Sequence, residues 1–173
     1  TAYALDAAIG KALTSIDPQR ALASLEQAYR SYPGDRTPEG TRDLFRACLG
    51  TNQVGKAREL LADIENLAKQ DVTLGGLLRR IAYDWAEFNY ARQDYREAVN
   101  AYTLVMNTPG GLLATDEQWA AYQRANALFF AGELESAQEQ YLTIAESSSP
   151  WAAEARTRAD VMQLDSRLRR TTL

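Results

Sequence analysis

One feature constrains this 173-residue chain more than any other: an apolar stripe that returns four times in the same order. Ala21, Ala57, Ala98 and Ala137 stand 36, 41 and 39 residues apart. Four residues after each comes a large apolar side chain, namely Leu25, Leu61, Tyr102 or Tyr141. Seven residues after each comes Ala28, Ile64, Val105 or Ile144. Positions i, i+4 and i+7 share one face of an α-helix. The alanine lets a neighbouring helix approach closely, and the larger residues fill the space beside it. A stripe recurring at this interval implies one helix–turn–helix unit per repeat, and such units bury a core by stacking on their neighbours.

Helix-breaking residues fall where this scheme needs them. Pro33, Pro109 and Pro150 lie 12, 11 and 13 residues after their alanines, where the second helix of a pair should stop. The second repeat instead passes through Gln70, Asp71 and Thr73 to Gly75–Gly76. A first helix is predicted near Tyr3, then over 41–49, 77–92 and 116–131, with Thr115 or Asp116 as N-cap of the last. The segment from Trp151 to Leu168 reads as a final helix covering the open end. Only 10 Gly and 5 Pro interrupt a chain that is 46% apolar, which favours helices over a turn-rich sheet protein.

Tyr83 to Tyr102 resembles a tetratricopeptide repeat, with Trp85, Ala86, Tyr95, Ala98 and Tyr102 in the family's large, small, aromatic, alanine and aromatic roles. The fourth repeat matches at Ala125, Leu128, Gly132, Leu134, Ala137, Tyr141 and Pro150. The second matches at Leu44, Phe45, Val54, Ala57 and Leu61, and the first at Ala21, Leu25, Ala28 and Pro33. Some positions depart from the pattern. Asn52 and Gln93 replace a turn glycine, Pro18 replaces an apolar turn residue, and Arg124 stands where a large apolar group is usual. The resemblance implies an all-α, right-handed α-solenoid of antiparallel helix pairs. It implies a single domain over 1–173, with repeats at about 3–33, 38–70, 77–109 and 115–149 and a capping helix at 151–169. Ser148-Ser149-Pro150-Trp151-Ala152-Ala153-Glu154-Ala155 is similar to the repeat junction of bacterial envelope proteins of the TolA-binding type. That similarity implies a periplasmic or outer-membrane-associated protein, with the cytoplasm as the alternative. Repeat proteins of bacterial exopolysaccharide export point the same way.

Charge and residue usage narrow the function classes. The net charge is −4 with a pI near 5.0, and no basic stripe suggests a nucleic-acid partner. Arg167, Arg169 and Arg170 read as complements to a helix dipole. No apolar run approaches the roughly 20 residues of a membrane span. Histidine is absent, removing the commonest general acid–base and metal ligand. The single Cys48 reads as a buried, inert thiol beside Leu44 and Phe45. Gly110–Gly111 lacks the context of a phosphate-binding loop, and Ser147–Ser149 that of a nucleophile elbow. The chain starts at Thr1, which suggests a piece of a longer protein or a processed form.

The expected function is therefore non-catalytic, without cofactor or metal: a scaffold holding a protein or peptide partner in a concave groove. The repeat register assigns that groove to Arg42, Arg46, Arg80, Tyr83, Asp84, Glu87, Tyr90, Tyr122 and Asn126. Glu39, Asp43, Trp119, Gln123 and Phe129 lie on the same faces. Aromatics beside arginines are what binding hot spots are made of. The competing reading places Tyr83, Tyr90 and Trp119 in the inter-repeat core. Asp84 and Glu87, with Arg80 one turn earlier, read as a surface ion-pair ladder and not as a catalytic carboxylate pair. The alternative function is a structural spacer, or a module that associates end to end.

Overall fold

The computed structural model describes residues 2–171, with side chains described through residue 164. Among these the chain is all-α. The helices are α1 (Ala2–Leu13), α2 (Pro18–Ser31), α3 (Pro38–Gly50), α4 (Val54–Ala68), α5 (Gly75–Ala91), α6 (Tyr95–Asn107), α7 (Ala114–Phe130), α8 (Leu134–Ala145) and α9 (Ala152–Thr171). The arginines at 167, 169 and 170 lie outside the residues whose side chains are described. The helices form two compact units, one ending at Ile81 and one starting at Ala82, so the division falls inside α5.

The alanine stripe is the spine of both units. Ala21, Ala57, Ala98 and Ala137 are each 0% exposed. Leu25, Tyr102 and Tyr141 are buried four residues on, and Ala28, Ile64, Val105 and Ile144 seven residues on. Each large side chain taken fully out of water contributes about 1.5–3 kcal/mol. The expectation for Leu61 needs correction. Leu61 is only half-buried, while Leu60 is buried with Ala57 and Ile64. Positions i, i+3 and i+7 share a face as well as i, i+4 and i+7 do, and α4 uses the former spacing.

Three helix pairs turn in the same way. Residues 51–53, 92–94 and 131–133 join α3 to α4, α5 to α6 and α7 to α8. The middle residue of each turn has positive φ: Asn52 at 59°, Gln93 at 64° and Gly132 at 85°. The next N–H reaches back five residues, Gln53 to Cys48 O, Asp94 to Asn89 O and Glu133 to Leu128 O. This is a Schellman ending, which satisfies carbonyls the helix leaves open. Asn52 and Gln93 thus hold the conformation that Gly132 adopts without steric cost.

The first pair turns differently. Asp17 caps α2 by accepting from Arg20 N at 3.1 Å, and Pro18 occupies the first helical position, where its missing N–H costs nothing. Helix α1 lies close on α2 because Gly10 has no side chain; a Cβ there would stand 2.6 Å from Leu25 Cγ. Helix α7 begins at Ala114, one residue before the predicted cap. Leu113 is its N-cap without a side-chain acceptor, while Asp116 and Glu117 place negative charge in the first turn.

Candidate protein-binding face

The nine predicted groove residues fall on both sides of the division at α5, and each unit presents its own set. In the first unit Arg42 is half-exposed and Arg46 exposed on α3. Arg80 on α5 pairs with Glu39 of α3 at 3.7 Å, and its Nε is buried without a hydrogen-bond partner. Asp43 meets Lys11 of α1 at 3.9 Å. This is a charged surface of marginal ion pairs, each contributing up to about 1 kcal/mol.

The first unit also carries a cleft, among Glu26, Tyr29, Arg36, Cys48, Lys56 and Asp63. Lys56 reaches Glu26 at 2.6 Å, and the Arg36 guanidinium lies 3.8 Å from the centre of the Tyr29 ring. Cys48 is 2% exposed, and burial pushes its thiol up to about 11. A thiol held protonated is a poor nucleophile and a poor metal ligand.

The second unit is aromatic. Tyr83, Glu87 and Tyr90 are half-exposed on α5, whereas Asp84 is buried. Glu87 accepts from the hydroxyl of the buried Tyr102 at 2.6 Å. Burial and that hydrogen bond raise the Tyr102 phenol well above its ordinary range. A surface ladder of Arg80, Asp84 and Glu87 is therefore not what forms. Asp84 is inside, and Glu87 is engaged by α6.

Tyr122 and Asn126 also differ from expectation: both are buried. The reason is Trp151, which enters from the Ser-Pro junction before α9. It stacks on Tyr122 at 5.3 Å with a 15° interplanar angle and meets Trp119 at 4.7 Å. Ser149 Oγ accepts from Trp151 N at 3.2 Å and so fixes the junction. Asn126 is held from the other side. It accepts from Tyr141 Oη at 2.6 Å and donates to Gln123 Oε1 at 2.7 Å. Tyr122 and Asn126 position this face from below; they do not present themselves on it.

What is presented lies at the far end of α7 and on α9. Phe129 and Phe130 are 37% and 49% exposed, and Phe130 stacks on Tyr95 at 4.9 Å. Tyr90 meets Tyr95 edge-on at 5.5 Å, so the aromatic run continues to α5. Beside Phe129 opens a cleft of about 170 Å³ lined by Phe129, Tyr141, Thr157, Arg158, Val161 and Met162. Arg158 lies 5.8 Å from the Tyr122 ring centre and pairs with Glu154 at 3.3 Å. Arg158, Val161 and Met162 were not among the predicted site residues. Their signal in the sequence is faint: Arg158, Val161 and Met162 stand at i, i+3 and i+4, hence on one face of a helix that otherwise reads as a cap.

No protein-family profile matches the chain, and no curated protein matches it. Among solved structures it is similar to the TPR-like repeats of a Podosopora anserina protein assigned as a kinesin light chain. The TM-score is 0.65 at 17% identity, over 96% of this chain and 87% of that one. A variant of the same protein matches with a TM-score of 0.65 at 16% identity over the same shares. At such identity the likeness establishes fold, and the fold of this chain is that of tetratricopeptide-like helical repeats.

Proposed function

We propose that the chain is a non-catalytic scaffold that holds a partner protein on the aromatic face of its second unit. Tetratricopeptide-like folds are in general interaction scaffolds, and one observation carries the reading here. Phe129, Phe130 and Val161 stay exposed on rigid helices, beside a cleft, while most apolar residues around them are buried. Exposed aromatics next to an arginine gain the most when a partner removes them from water. Helices that are already ordered also limit the entropy lost on binding. Tyr83 and Tyr90 extend the surface on α5, and Tyr122 supports it from inside. No described helix is long and apolar enough to cross a membrane.

The Ser148–Ala155 junction directs the first search to a bacterial envelope assembly, with the cytosol as the comparison. The test is affinity capture with crosslinking from both fractions, using the protein and its Phe129→Ser/Phe130→Ser variant. One protein held by the former and lost with the latter supports the reading. A partner retained equally by both sinks the assignment of the face.

A second reading is self-association, and α1 favours it. Leu5 and Ile9 are 63% and 43% exposed along one face of α1 that also carries Ala12, and Ile16 in the turn after it is 79% exposed. A helix apolar on its outer as well as its inner face is usually covered. Sedimentation velocity over a hundredfold concentration range, with Ile9→Glu as control, decides this. A shift with concentration that the variant abolishes supports self-association, and a strict monomer removes it.

A further inference from the structure

Resting on the scaffold reading, we propose that the cleft between the end of α7 and α9 is an anchor pocket for a partner segment in which an apolar side chain adjoins an aspartate or glutamate. Its walls are apolar: Phe129, Val161, Met162 and the ring of Tyr141. An inserted aliphatic or aromatic side chain would therefore trade water for hydrocarbon at little polar cost. Thr157 does not call for a polar ligand, because its hydroxyl already donates to Ala153 O at 3.1 Å.

Among the described residues Arg158 is the one charged side chain of the lining, and it supplies the selectivity. Its side chain is 39% exposed, and a guanidinium offers a planar fork of donors suited to a carboxylate. It now holds Glu154, one helical turn away on the same helix at 3.3 Å, and also lies against the hydroxyls of Tyr122 and Tyr141. Such i,i+4 pairs are weak and easily exchanged. An incoming carboxylate can take the place of Glu154, which is 56% exposed and gives up only its contact with the Tyr122 hydroxyl on returning to water. A phosphate dianion fits less well, since a single guanidinium faces its two charges. The chain's net charge of −4 gives no long-range attraction for anions, so the preference has to be local to Arg158.

The identity of Glu154 as internal competitor yields a test in which a variant improves binding, a result that misfolding cannot mimic. The probe is a displayed library of random heptapeptides selected on the immobilised protein, followed by affinity measurement on the enriched peptides. The expected consensus pairs an apolar residue with an acidic neighbour. Glu154→Gln should tighten those peptides about two- to fivefold, Arg158→Gln should weaken them about tenfold, and Val161→Glu should do likewise by placing a like charge at the rim. Enrichment without acidic residues overturns the proposal. So does an acidic consensus indifferent to both Glu154→Gln and Arg158→Gln, or no enrichment at all. None of these outcomes touches the scaffold reading, which depends on whether Phe129→Ser/Phe130→Ser releases the captured partner.

Discussion

The two units share a spine but are joined across their helices by different chemistry. In the first, most links are charge pairs near the surface, Lys56 to Glu26, Lys11 to Asp43 and Arg80 to Glu39, with one hydroxyl contact where Tyr3 Oη accepts from Thr37 N at 3.3 Å. In the second, the links are buried or half-buried hydroxyl, indole and amide contacts. Tyr141 reaches Asn126, Tyr102 reaches Glu87, and Trp85 Nε1 donates to Glu97 at 3.0 Å. Arg124 ties α7 to both neighbours, donating from Nε to Thr103 Oγ1 at 2.9 Å and from Nη1 to Gln140 Oε1. Exposed ion pairs contribute little and tolerate exchange, whereas buried polar links specify one arrangement and are costly to break. The second unit is thus the one built to hold side chains in fixed places, and it is also the one that carries exposed aromatics.

That contrast can be broken at matched links. Tyr141→Phe leaves Asn126 Oδ1 buried without its donor, so the second unit should lose about 1–3 kcal/mol in denaturant unfolding. Lys56→Ala removes the shortest ion pair of the first unit, yet Arg30 remains near Glu26, and the loss should stay below about 1 kcal/mol. If the two substitutions cost the same, the distinction between the units fails.

Alkaline titration sharpens it. Burial raises Cys48 from about 9 to about 11 in the first unit, and raises Tyr141 from 10 to about 12 in the second. Each group keeps its proton longer when folded than when unfolded. Its contribution is therefore fully present below the unfolded value and is lost as pH rises through the folded one. Thermal melts should begin to fall near pH 9. Cys48→Ala should flatten the decline between about pH 9 and 11, and Tyr141→Phe the part beginning near pH 10. A melting temperature constant to pH 11 in the unchanged protein would contradict both.

The smallest effect concerns the turns. Gln93 bears a left-handed backbone that costs a residue with a side chain about 1–2 kcal/mol, partly offset by the extra freedom glycine has when unfolded. Gln93→Gly should stabilise by about half a kcal/mol, and Gly132→Ala should destabilise by about 1 kcal/mol. Opposite signs at equivalent positions would show that the second unit repeats one turn.

The spine was legible in the sequence because close helix contact demands a small residue, and Ala21, Ala57, Ala98 and Ala137 recur in register. Asn52 and Gln93 could be read as turn residues for the same reason of register. The binding face was less legible. Tyr122 and Asn126 sit on the expected stripe of α7, but their burial depends on Trp151 and Tyr141 arriving from other helices. Arg158 escaped notice because α9 alone reads as a polar cap; its role appears only when its neighbours Tyr122, Tyr141 and Phe129 are placed around it. Arg124 read as a departure from the repeat pattern, and the structure turns it into a link.

Binding of a partner by the exposed aromatics of the second unit can be tested on its own. Its most direct test is crosslinking capture with the protein and with Phe129→Ser/Phe130→Ser, after circular dichroism has shown both to be equally helical. One specific partner, crosslinked to α7 or α9 and absent from the variant, is the expected result. A partner captured equally by both proteins, or crosslinked only to the first unit, would contradict it.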